Sequence, residues 1–170
     1  TRFHVADVAP LGRGAIAVEP AAGMDGNSLE YRTYASVVAR QLVLLGYAEQ
    51  PAGTAAPQVA LVRIERGAIA PQPAGSPVSV GIGGGAGSFG SGVGVGIGVN
   101  LSGPPPAQTV TELSVTIRDR TSGGSLWEGR ARFTVRSDSP MANTTLGSAK
   151  LVEALFKDFP GTSGETIEVR

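Results

Sequence analysis

The chain has 170 residues, with 14 basic and 14 acidic side chains and therefore no net charge, a balance that does not steer it towards nucleic acid. Its length suits one domain with a sizeable core, but aromatics make up only 5% of it, so Val, Ile, Leu and Ala must supply most of that core. Cysteine is absent and His4 is the lone histidine, which excludes disulfides, thiolate sites, cysteine nucleophiles and histidine-based metal clusters.

The chain opens on Thr1 rather than methionine, so we expect that an N-terminal segment, with any signal peptide, has been removed. Arg2 to Val8 alternates Phe3 and Val5 with polar or small residues, and Ala15 to Glu19 is a second short run of strand character. Gly23, Gly26 and Asn27 then form a turn. Asn27 and Glu30 have the spacing of a helix N-cap. The helix runs from Ser28 to Leu45, with Tyr31, Tyr34, Val38, Leu42 and Leu45 on one stripe and Val37 and Leu44 beside it. Gly46 stands where a left-handed C-terminal cap belongs.

Gln58 to Arg66 reads as a third strand. No Asp, Glu, Lys, Arg or His occurs in the 45 residues from Gly67 to Thr111, although 16% of the chain is charged. Beyond that gap, Thr111, Leu113, Val115 and Ile117 alternate with polar residues, as do Trp127, Ala131, Phe133 and Val135. Gly123 and Gly124 turn the chain between them, giving a hairpin with one dry face and one wet face. Ser139-Pro140 starts a second helix, expected over 140–158, with Leu151, Val152, Leu155, Phe156 and Phe159 as its apolar face and Pro160 as its end. Thr166 to Val169 has the composition of an edge strand. The fold class is therefore α+β: a largely antiparallel sheet with both helices on one face, above Trp127 and Phe133. We expect a single domain over 1–170, interrupted by a charge-free, Gly/Pro-rich hairpin insertion at 67–109.

Ten of the eighteen residues from Gly81 to Gly98 are glycine. Val78, Val80 and Ile82, and later Val93, Val95, Ile97, Val99 and Leu101, recur with period two on either side of a tip around Phe89. Glycine weakens a strand by roughly 0.5–1 kcal/mol against alanine, so its repetition needs a compensating reason. Close approach by another sheet, a helix or a second subunit is one. Lipid is another, because about 9–11 tilted residues per strand cross a bilayer. A mobile apolar-tipped loop is a third. These nine branched and aromatic residues are the candidate association or membrane surface.

Other candidate sites carry less. Gly85 to Gly90 spells the dinucleotide fingerprint GxGxxG, but alternating Val and Gly follow it instead of the helix that would face a pyrophosphate. Asp25, Asp119 and Asp138 fit turns. Ser76, Ser88 and Ser91 lack a readable base. Arg118, Arg130, Arg132 and Arg136 share the wet face of the hairpin with Glu112 and Glu128. They form a candidate anion-contacting face, more simply read as a solvated surface with cross-strand ion pairs. No metal, cofactor or nucleotide is expected, and no stretch of about 18 apolar residues is present to form a membrane helix.

The helix SLEYRTYASVVARQLVLLGY, the VGIGGG…GVGVGIGV insertion, the strand pair TELSVTIRDRTSGGSLWEGRA and the closing helix KLVEALFKDFP resemble bacterial lipoproteins of domain of unknown function family 4136. The resemblance covers nearly the whole chain. It implies a periplasm-facing lipoprotein of the cell envelope, anchored in the outer membrane through a lipidated cysteine upstream of Thr1, without enzymatic activity. Two functions follow as expectations: a structural protein that forms a homo-oligomer or docks on an envelope partner through the hairpin, or a module that holds a lipid, peptide or glycan between helices and sheet.

Overall fold

A computed structural model describes residues 2–6, 9–70, 78–83, 94–99 and 106–162. Its elements are β1 (Arg2–Val5), β2 (Ala15–Pro20), α1 (Leu29–Leu44), β3 (Ala48–Gln50), β4 (Gln58–Ile69), β5 (Val78–Gly83), β6 (Gly94–Val99), β7 (Gln108–Asp119), β8 (Ser125–Arg136) and α2 (Thr144–Phe156). Residues 166–169, expected as an edge strand, lie outside the described residues.

The α1 stripe buries Tyr31, Tyr34, Val38, Ala39 and Leu42. Leu44 was expected beside that stripe, but it is 78% exposed, whereas Val37 and Leu45 pack against the buried cluster. The N-cap is Ser28, whose Oγ accepts from the Tyr31 amide at 3.1 Å. Asn27 instead donates its backbone N–H to Asp25 Oδ1 at 2.9 Å, so the expected cap moves by one residue. Gly46 ends the helix at φ +106°, and a Cβ there would collide with the carbonyl oxygen of Gly12. Only glycine combines that conformation with that approach.

Six strands form one sheet in the order β1-β8-β7-β4-β2-β3. β4 pairs antiparallel with β7 from Gln58↔Asp119 to Ile69↔Gln108, and β7 with β8 from Gln108↔Arg136 to Arg118↔Ser125. The expectation of a largely antiparallel sheet needs correction, since β2 runs parallel to both β3 and β4. The cause is α1: a helix that leaves one strand and runs back along the sheet returns the next strand in the same direction. The sheet is mixed.

Ile16 and Val18 of β2, Ala60, Val62 and Ile64 of β4, Leu113, Val115 and Ile117 of β7, and Trp127 and Ala131 of β8 join both helices in one buried cluster. Both helices thus cover a single sheet face. Trp127 is the largest wholly buried side chain. Its ring stacks on Phe156 at 5.4 Å and tilts against Phe159 at 5.2 Å, while Nε1–H donates to Pro160 O at 2.8 Å. Phe133 is different: it is only partly buried and packs at the rim of the cluster.

The second helix is shorter than the 140–158 expected. Ser139 caps a single 3₁₀ turn at Pro140–Ala142, and Asn143 then adopts an extended conformation and caps α2 by accepting from the Thr145 amide at 2.9 Å. Two capping residues in succession stop the turn and restart the chain as α-helix. A Cβ on Gly147 would lie 2.7 Å from Met141 O and 3.1 Å from the Phe133 ring, so glycine there lets the restarted helix settle against the turn and the sheet.

Candidate functional site

The long β4–β7 ladder outruns the helices that cover it. The last five residues of β4 are all exposed, and their β7 partners run from Glu112 to Gln108. Glu65 faces Glu112, Arg66 faces Thr111 and Gly67 faces Val110. Charge therefore stops on both strands within one rung, where the uncharged zone of the sequence begins and ends, although Arg136 of β8 stands beside Gln108 of β7. Arg66 marks that boundary. It ion-pairs with Glu30 of α1 at 3.4 Å and donates to Ala142 O at 3.1 Å, tying the ladder to both helical segments.

Within the zone β5 and β6 pair antiparallel as a two-stranded sheet. Val78 faces Val99, Val80 faces Ile97 and Ile82 faces Val95, whereas Ser79 faces Gly98, Gly81 faces Gly96 and Gly83 faces Gly94. Cross-strand partners occupy the same face of a ribbon, so the branched residues share one face and the glycines, with Ser79, share the other. Eight residues separate Ile69 from Val78, and eight separate Val99 from Gln108. Of the expected surface residues, Val78, Val80, Ile82, Val95, Ile97 and Val99 fall on these strands. Phe89, Val93 and Leu101 lie outside the described residues, as does Gly85 to Gly90.

The four expected arginines are all exposed, Arg118 on β7 and Arg130, Arg132 and Arg136 on β8. They do not make one basic patch. Arg130 is hydrogen-bonded to Glu128 through two nitrogens at 2.7 and 2.9 Å, Arg136 is paired with Asp138 at 2.7 Å, and Arg132 stands opposite Glu112. Arg118 and Arg130 line a shallow groove of about 490 Å³ on the open sheet face, together with Arg63, Glu65, Glu112 and Glu128. The alternation of sign gives an anion no net field to follow.

The aspartates are taken up by turns and pairs. Asp119 Oδ1 accepts from the amides of Thr121 at 2.7 Å and Ser122 at 2.9 Å. The Ser122 and Thr121 amides hold its carboxyl below the usual range, which suits a turn and not a proton acceptor near neutrality. His4 lies opposite Glu128 on the β1 edge. Among the described residues no three His, Cys, Asp or Glu side chains gather as a metal site. Thermal melts recorded with and without chelator, and with NAD or ATP, are expected to superimpose. A reproducible upward shift with any of these would contradict that expectation.

Sequence reading missed the polar cluster behind the boundary rung. The Tyr34 hydroxyl and Thr111 Oγ1 are buried there without a hydrogen-bond partner among the described residues. Burial raises the Tyr34 pKa to about 12, with Arg66 lowering it and Glu30 raising it by smaller amounts. The folded state holds this proton more tightly than the unfolded chain. Stability is therefore unaffected below about pH 10 and falls as pH rises from there through about 12. Tyr34→Phe is expected to leave stability at pH 7 equal or higher, since it removes an unpaired buried hydroxyl, and to flatten the alkaline decline. Urea melts of both chains at pH 7, 10 and 11.5 check this; an unchanged alkaline decline in the variant would contradict it. The signal available in the sequence was Arg66 itself, the last charge before the gap.

A family model, described as a domain of unknown function, DUF4136, matches residues 13–161. The chain belongs to the DUF4136 family. An uncharacterized protein of Zymomonas mobilis is 35% identical to it over 60 residues, which span 35% of this chain and 23% of that protein's own length. Among solved structures, a PDZ domain protein from Parabacteroides distasonis has a TM-score of 0.52 at 10% identity, over 95% of this chain and 36% of that one. This is a likeness of fold alone. A PelC dodecamer from Paraburkholderia phytofirmans has a TM-score of 0.46 at 13% identity, with 91% of each chain covered. The DUF4136 match takes in α1, the whole charge-free zone and α2.

Proposed function

We propose that this DUF4136 protein is a non-enzymatic component of the bacterial cell envelope, facing the periplasm from a lipid anchor in the outer membrane, and that it self-assembles through the β5–β6 ribbon. The observation that carries the reading is the boundary rung at Arg66 and Thr111, beyond which two paired strands proceed without charge. A lone two-stranded ribbon is marginal in water. One without charges at its edges lacks the usual protection against pairing with another strand. A second copy supplies an identical edge, and symmetric assembly is the commonest way to cover one. A partner protein of the envelope offering a strand edge would serve the same chemistry.

The alternative, a ligand held between helices and sheet, has less to support it. Trp127, Tyr34, Phe156, Leu42 and Leu155 are all buried in that layer. Catalysis has little support either, given turn-bound aspartates and paired arginines. Light scattering of the purified protein over a range of concentrations tests the proposal. A mass several times that of the 17.2 kDa chain is expected. A single-chain mass at all concentrations would refute self-assembly.

A further inference from the structure

One edge of β8 pairs with β7 from Ser125 to Arg136, but β1 covers the other edge only from Trp127 to Arg130. Along Ala131 to Arg136 no strand lies on that second edge among the described residues. The phase of the hydrogen bonds decides which groups this leaves open. On the β7 side the Ser137 amide donates to Ala107 O at 2.9 Å, and on the β1 side the Ala6 amide donates to Leu126 O at 2.9 Å. Antiparallel strands bond through alternate residues, so the odd-numbered residues of β8 bond to β7 and the even-numbered ones turn outward. Past Arg130 the outward groups are the N–H and C=O of Arg132 and Thr134 and the N–H of Arg136, whose carbonyl accepts from the Ser139 amide at 2.9 Å. We propose that this open edge receives an extended, acidic segment of a partner protein as an added strand. The edge belongs to the six-stranded sheet and is separate from the β5–β6 ribbon.

In such strand addition the main chain supplies affinity and alternate side chains supply selection. On the open sheet face the incoming strand meets Arg132, Thr134 and Arg136, all exposed. Arg136 is already paired with Asp138, and Arg130 with Glu128, each at 2.7 Å. Arg132 stands opposite Glu112 in register but forms no ion pair among the described residues, so a carboxylate beside it gains a partner. On the helix face Phe133 and Val135 are only partly buried. Phe133 lies against Gly147, and the preceding Leu146 is 52% exposed. Apolar side chains on the inner face of an added strand cover Phe133 and Val135. The same arginines argue against a second copy as the occupant. Two β8 edges paired antiparallel about Thr134 would set Arg132 of each against Arg136 of the other, and like charges directly opposite are destabilising. Charges that repel a copy of this edge admit an acidic one.

The probe is a fluorescent synthetic peptide, Gly-Glu-Val-Thr-Val-Glu-Gly, with a control that carries lysine in place of both glutamates. Binding to the full-length protein at low ionic strength is read by anisotropy, and amide hydrogen exchange is resolved to single residues. In the free protein the Arg132 and Thr134 amides are expected to exchange fast, while those of Phe133 and Val135, bonded to β7, exchange slowly. The acidic peptide should slow Arg132 and Thr134 by about tenfold or more, and the lysine peptide should not. Arg132→Glu should weaken the acidic peptide about fivefold or more, the scale of a lost exposed ion pair with added repulsion, whereas Arg118→Glu, away from this edge, should leave it unchanged. Val95→Lys/Ile97→Lys should bind as the parent does, which separates this edge from the ribbon. Slow exchange of Arg132 and Thr134 in the free protein overturns the proposal, because the same chain or another copy then already covers the edge. So does failure of the acidic peptide to bind at millimolar concentration, equal binding of the two peptides, or protection that falls elsewhere in the fold.

Discussion

Trp127→Ala is expected to lower unfolding stability by about 3–5 kcal/mol, the range for emptying a large aromatic site in a packed core. The side chain is wholly buried, stacks on Phe156, tilts against Phe159, and holds the carbonyl of Pro160 through its indole N–H. It therefore joins β8, α2 and the segment after α2 in one contact. Domains of this size have about 5–15 kcal/mol to lose, so the variant should fall near the limit of folding. Phe133, which the sequence places beneath the helices with Trp127, should cost only about 1–2 kcal/mol when replaced by alanine, because a rim residue gives up part of the usual burial. Trp127 is the sole tryptophan, so urea unfolding must be followed by circular dichroism. Equal losses for the two variants would contradict the placement of the core.

Replacing Val95 and Ile97 together by lysine should convert the assembly into a folded monomer with the body unchanged. Both residues lie on β6, opposite Ile82 and Val80, and each lysine would bring a charge into a zone that has none. Lysines near an edge are among the commonest devices by which natural sheets avoid pairing. The thermal midpoint of the body should stay close to that of the parent, because β6 belongs to a sheet separate from the six-stranded one. A double-lysine variant that keeps the parent's mass would remove the ribbon from the interface.

Much of this architecture is legible in the sequence wherever a face repeats cleanly. Tyr31, Tyr34, Val38 and Leu42 disclose α1, and the alternation around Leu113, Val115 and Trp127 discloses the β7–β8 hairpin, because in both the buried face is regular. Strand direction is not written in local pattern. Ala15–Pro20 looks the same whether it pairs parallel or antiparallel, and only the return of the chain through α1 decides it. β3 has three exposed residues and no apolar signal at all. Ser139 and Asn143 are both good caps, and the choice between one helix and two depends on how Gly147 fits against Met141 and Phe133. At the site, the charge gap and its alternation were visible from the start. The coincidence of the charge boundary on two strands required the register.

The central claim, that the uncharged ribbon is an association surface between copies, is tested most directly by the mass of the protein taken from its native membrane in mild detergent, measured beside the Val95→Lys/Ile97→Lys variant. We expect the parent to run as a discrete multimer of the 17.2 kDa chain and the variant as a single folded chain. A parent that is a single chain, or a variant with the parent's mass, would contradict the account.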